Sequence, residues 1–184
     1  TEGAQGNPPS PRSVACRYAG HYIMRTGWDA AEDLYLLFDA GPFGAGHQHE
    51  DKLGFTMYGY GRILVYEGGV HQYNDSPQRQ YVLSTRAHNT IRVDGLDQRS
   101  YHVLDSHALP YPFEPLDNTW VSDDAHDFVA ARYEHGYGTR GSRDLKVGAT
   151  HTRCILFVKP RYWVIMDTVT PDDDAEHSYE SLFH

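Results

Sequence analysis

His47 and His49, with Glu50 and Asp51 close behind, bring two imidazoles and two carboxylates into five positions after the glycine-rich turn 44–46. Three chemistries suit such a cluster: a metal site, a proton-transfer site, or a polar loop that happens to be rich in histidine. If this segment enters a strand near Lys52, positions 47, 49 and 51 share one face, because strand side chains alternate. A divalent ion such as zinc needs three or four ligands, commonly imidazole mixed with carboxylate. Glu67 closes the strand-like run "RILVYE" before Gly68-Gly69, and His88 opens "HNTIRVDG". A hairpin over 52–67 returns the chain to the level of the histidine pair, within reach of Glu67. Spacing alone leaves open whether His49, Glu67 and His88 share a metal or are separate hydrogen-bonded groups. A cupin barrel is also built around His-x-His, but it wants a glutamate where Leu53 and Gly54 stand.

The elements that would hold these groups read mostly as strands. Short apolar runs occur at 21–26, 33–39, 54–60, 62–67, 89–95, 127–134, 150–158 and 161–169, several alternating with polar residues as Ile91 and Val93 do with Arg92 and Asp94. Hairpin turns are expected at 58–62 and 158–163. The one helical signal is 76–86, where Ser76 is a candidate cap and Pro77 a first helical residue. Many short strands with turns every eight to twelve residues or so predict an all-β fold, an antiparallel β-sandwich with at most one short helix near 77–84. Residues 1–13, rich in Gly, Pro and Ser, read as a linker or tail, leaving 14–184 as the sandwich domain.

The 184 residues suffice for one sizeable core, and a formal charge of −9 argues against a nucleic-acid partner, which calls for a basic field. No apolar run approaches membrane-spanning length, and no stretch of the sequence reads as a signal peptide. A start at Thr1 rather than Met suits a processed chain or a fragment. Cys16 and Cys154 pair or stay free; the sequence does not decide. Fourteen tyrosines suit sugar-binding surfaces, though they equally suit the outer faces of sheets.

The run "FDAGPFGAGHQHEDKLGFTMYGYGRILVYEGGVHQYNDSPQRQYVLSTRAHNTIRVDG" resembles the heparinase II/III-like polysaccharide lyases, which include oligoalginate lyases. It carries their G-x-x-G-x-x-H-x-H-x-D block, a basic strand ending in an acid and Gly, a Tyr/Arg segment and an "HN" strand start, in that order. The likeness spans roughly residues 18–184, and the combined motif is far more specific than any part. It implies β-elimination at a uronate glycosidic bond of an alginate-like or glycosaminoglycan-like chain. A Zn2+ ion held by His49, Glu67 and His88 would organise the site; the family acid is usually Asp, where this chain has Glu67. The resemblance places His47 toward substrate and makes Tyr73 the candidate acid/base. Asp51 would orient a histidine from behind. Arg79 and Arg86 are candidates to hold a sugar carboxylate through a bidentate guanidinium pair, with ordinary ion pairing as the competing reading. Complete members carry an N-terminal α/α toroid, so this chain reads as the β-sandwich part of a larger lyase, periplasmic or secreted by analogy. A non-catalytic carbohydrate-binding sandwich with a loop-stapling metal is the alternative, and a metal-dependent oxygenase a third.

Overall fold

The computed structural model describes residues 6, 10, 12–43, 47–100 and 113–184. The glycine-rich turn at 44–46 and most of the 1–13 segment fall outside the described residues. Short, mostly apolar runs form strands β1 (Val14–Cys16), β2 (His21–Arg25), β3 (Tyr35–Asp39), β4 (Phe55–Gly59) and β5 (Arg62–Val65), which pair in that order as an antiparallel sheet. Tyr60 and Gly61, both at positive φ, make the tight turn between β4 and β5, where such backbone matches the twist of the two strands. Helix α1 (Pro77–Leu83) starts as its sequence predicts: the Ser76 hydroxyl accepts from the Arg79 backbone N–H at 3.2 Å, and Pro77 occupies the first turn.

Short strands β6 (Ile91–Val93) and β7 (Asp97–Gln98) follow, and then β8 (Thr119–Ser122), β9 (His126–Tyr133), β10 (Tyr137–Gly138), β11 (Ala149–Val158), β12 (Tyr162–Pro171) and β13 (Tyr179–Ser181). Four of these form a second antiparallel sheet in the order β12-β11-β9-β8, while β13 pairs with β6 and β10 with β7. The inner faces of the two large sheets meet in one core. Tyr22, Met24, Leu36, Phe38 and Phe55 come from the first sheet, Val129, Ala131, Ile155 and Phe157 from the second. Rings touch across the layers, Tyr22 lying 5.5 Å from Trp120 between centroids. Each such buried side chain contributes roughly 1.5–3 kcal/mol of transfer free energy. The chain is therefore an all-β antiparallel sandwich with one short α-helix among the described residues.

One local expectation fails. Residues 47–54 are not a strand entry: β4 begins only at Phe55, and His47 and Leu53 both have left-handed backbone (φ 58° and 62°). The argument that 47, 49 and 51 share a strand face does not apply. Cys16 and Cys154 are both free thiols. No helix among the described residues is long and apolar enough to cross a membrane.

Candidate metal and proton-transfer site

The loop at 47–54 separates its two histidines by environment. His47 is exposed, and its Nδ1 lies 2.7 Å from the Tyr73 hydroxyl, the rings meeting edge to face at 5.6 Å. Tyr73 itself is 68% exposed and sits in the segment between β5 and α1. Arg79, buried on α1, places its guanidinium 4.9 Å from the Tyr73 ring centre and donates to the Val70 carbonyl. Its first contacts are thus with the segment carrying Tyr73. Arg86 is exposed in the turn after α1, where its carbonyl accepts from His184 Nε2 at 3.1 Å.

His49 turns inward and is 8% exposed. Ligand atoms of His49, Asp51 and His88 all lie within 4.8 Å of one another, and the His49 and His88 rings are 5.3 Å apart. His49 Nε2 is buried without a hydrogen-bond partner. Burial pushes the His49 pKa down, the neighbouring His88 and Arg79 adding to the effect against Asp51 and Glu67. A neutral imidazole with a free ring nitrogen is the form that binds a metal.

Glu67 reaches the group through His88. Its Oε2 lies 2.5 Å from His88 Nδ1, and its Oε1 accepts from the Asn89 backbone N–H (3.1 Å) and amide (2.9 Å). His88 Nε2 faces the Val82 carbonyl at 3.0 Å. Burial of His88 disfavours its charge, but the Glu67 hydrogen bond, with the charges of Asp51 and Glu67 and the Val82 carbonyl, outweighs it, and the pKa is raised. With the Val82 carbonyl on Nε2 fixing the tautomer, Nδ1 is the nitrogen left for a metal, and Glu67 beside it suits direct ligation. Two histidines with two carboxylates in reach are a suitable donor set for zinc.

Asn89 ties the His88 strand start to β4, to the segment after β5 and to His184. Asn89 is fully buried; its amide donates to the Phe55, Tyr66 and Glu67 oxygens, and its own oxygen accepts from the His184 backbone. Sequence reasoning left Asn89 unassigned and missed Lys52. That ammonium is buried 3.3 Å from Asp51 and 3.7 Å from Asp39. Burial works against the Lys52 charge, yet Asp51, Asp39 and Glu50 outweigh it and raise its pKa. The signal was its place directly after Asp51. Asp51 Oδ1 is buried, with the Lys52 ammonium as its charge partner.

A cavity of about 290 Å³, with His49, Leu83 and Arg140 in its wall, adjoins the buried group. A larger cleft of about 640 Å³ is lined by Lys52, Leu53, Arg132 and Tyr133 and touches none of His47, His49, Glu67, Tyr73 or His88. Of these five residues only His49 lines the smaller one.

Comparison with known proteins agrees with the fold. Residues 8–184 match the heparinase II/III-like C-terminal family. A heparin-sulfate lyase from Pedobacter heparinus is 26% identical over 171 residues, which cover 91% of this chain and 22% of the relative. The crystal structure of a heparan sulfate lyase from the same organism superposes with a TM-score of 0.65 at 23% identity, over 94% of this chain and 24% of that one. A heparinase III structure gives 0.66 at 21% identity, over 96% and 25%. At these identities the solved structures share the fold. The chain spans about a fifth of the length of the curated relative it matches.

Proposed function

The chain belongs to the heparinase II/III-like family, matching its C-terminal domain, and from that premise we propose that it is the β-sandwich part of a polysaccharide lyase acting on uronate-containing glycans. The observation that carries the reading is the 2.7 Å contact between His47 Nδ1 and the Tyr73 hydroxyl, exposed beside the buried histidine group. β-Elimination removes the proton on C5 of the uronate, forms the C4–C5 double bond, breaks the C4–O bond and protonates the departing oxygen. The Tyr73 hydroxyl takes or gives the proton at the sugar, and His47 Nδ1 is its exchange partner. Positioned proton carriers of this kind supply about a hundred- to ten-thousand-fold in rate. Arg79 holds the Tyr73 ring from below and brings a fixed positive charge to a site that receives an anionic sugar. Arg86, exposed on the same stretch, is a candidate contact for a sugar carboxylate.

His49 and His88 would hold a zinc ion together with one carboxylate: Glu67 by its sequence position, or Asp51 by its place in the buried group. Bound there, zinc would supply a fixed charge that locks the 47–54 loop against the strand start at His88. Metal affinity of Asp51→Asn and Glu67→Gln separates the two forms, the ligating carboxylate costing more than the about 10- to 100-fold expected of a supporting one.

The functional test follows the unsaturated uronate product by its absorbance, using the full-length protein on heparan sulfate, alginate and related chains. Tyr73→Phe should lower turnover at least about a hundredfold with zinc content unchanged. No product from any uronic polymer would overturn the reading. The alternative is a non-catalytic carbohydrate-binding sandwich in which a metal staples the loops. It predicts normal turnover in both His47→Ala and Tyr73→Phe.

A further inference from the structure

Arg153 is fully buried on the inner face of β11, a place where a cation needs a reason. Its Nε and Nη2 donate to the two oxygens of Asp167 on β12, at 2.7 and 2.9 Å. Asp167 also meets His151 Nε2 at 2.8 Å. The remaining nitrogen, Nη1, is shared between two backbone carbonyls: Leu53 at 2.7 Å and Asn89 at 2.5 Å. Those carbonyls belong to the two segments that carry the histidine group. Leu53 lies two residues after Asp51 and has left-handed backbone; Asn89 directly follows His88.

Simple cohesion of the two sheets does not explain this choice, since a well-packed apolar side chain usually holds a core as well as a buried ion pair does. What only a guanidinium adds is a rigid fork that satisfies a carboxylate on one side and two carbonyls on the other. We infer that Arg153, oriented by Asp167, is a positioning residue that sets the spacing between the His49–Asp51 loop and His88, and thereby the metal affinity of that group. The inference rests on the metal reading proposed above.

The test is cobalt(II) titration of metal-free full chain, reading both affinity and the visible d–d bands of the bound ion, with zinc competition as a check. The variants are Arg153→Met, Arg153→Lys and His49→Ala, with Val129→Ala as a core control on β9, all measured where circular dichroism shows them folded. Arg153→Met should bind about tenfold more weakly with altered bands. Arg153→Lys should recover part of the affinity, because it keeps the charge and loses the fork; Val129→Ala should match wild type. Unchanged affinity and spectrum in the Arg153 variants overturn the inference, as does an equal loss in Val129→Ala. If the Arg153 variants do not fold, Asp167→Asn frees the fork while leaving the guanidinium and is read by the same criteria. Wild type that binds no cobalt, or His49→Ala that binds as wild type does, overturns the metal reading and this inference together. That outcome is distinct, because it appears without any change at Arg153.

Discussion

His47 and His49 stand two residues apart in surroundings that differ as much as water and a protein core. His47 is exposed on a left-handed turn with Tyr73 as its partner, whereas His49 is buried beside His88 with one ring nitrogen unpartnered. The exposed pair has few contacts to lose and can move protons with a solute. The buried group is fastened by Glu67, Asn89 and Arg153, and alters the fold if disturbed. The difference shows that a dense cluster in sequence need not be one site: a single turn divides it into an exposed half and a buried half.

The contrast is sharpest at the buried half. His88→Ala should abolish zinc retention after chelation and reconstitution, measured by elemental analysis; full zinc content in that variant would remove the metal from the account. Asn89→Ala comes next, since it strands buried oxygens of Phe55, Tyr66 and Glu67. The expected loss is about 3 kcal/mol in urea denaturation, where an exposed substitution such as His47→Ala should cost no more than about 0.5 kcal/mol.

Acid should act on the same buried frame. Burial opposes the charge of Asp167, but its hydrogen bonds with His151 and Arg153 outweigh that and hold its pKa down to about 2, from 3.8. A carboxyl whose folded pKa lies below its unfolded one stabilises the fold fully above the unfolded value. That stability disappears as pH falls from about 4 towards 2, a contribution on the order of 2 kcal/mol. Unfolding midpoints through this window should decline more steeply in wild type than in Asp167→Asn. A smaller effect than that of Asp167 is expected at Ser76→Ala, where one capping hydrogen bond to α1 is lost at about 1 kcal/mol.

Short apolar runs bounded by turn residues carried most of the fold in advance, as at 21–25 and 162–171, with alternation plain in stretches such as Ile91–Val93. The α1 start was equally legible in Ser76-Pro77. The loop at 47–54 was not, because a left-handed leucine leaves no trace in an alternation pattern. Arg153 was hidden for a related reason. In β11 the outward residues Cys154, Leu156 and Val158 look more apolar than the inward His151 and Arg153, and only the partners Asp167, Leu53 and Asn89 explain the inversion. Histidine and acid spacing offered His49, Glu67 and His88 as candidates and the family resemblance added Tyr73, but which carboxylate faces which imidazole depends on χ angles that spacing does not encode.

The central claim is the division of labour between the two histidines, and it is tested most directly by measuring zinc content and uronate elimination on the same preparations of full-length His47→Ala and His49→Ala. The account predicts that His47→Ala keeps its zinc and loses turnover, while His49→Ala loses both. Zinc lost from His47→Ala, or turnover retained in it, would contradict the account.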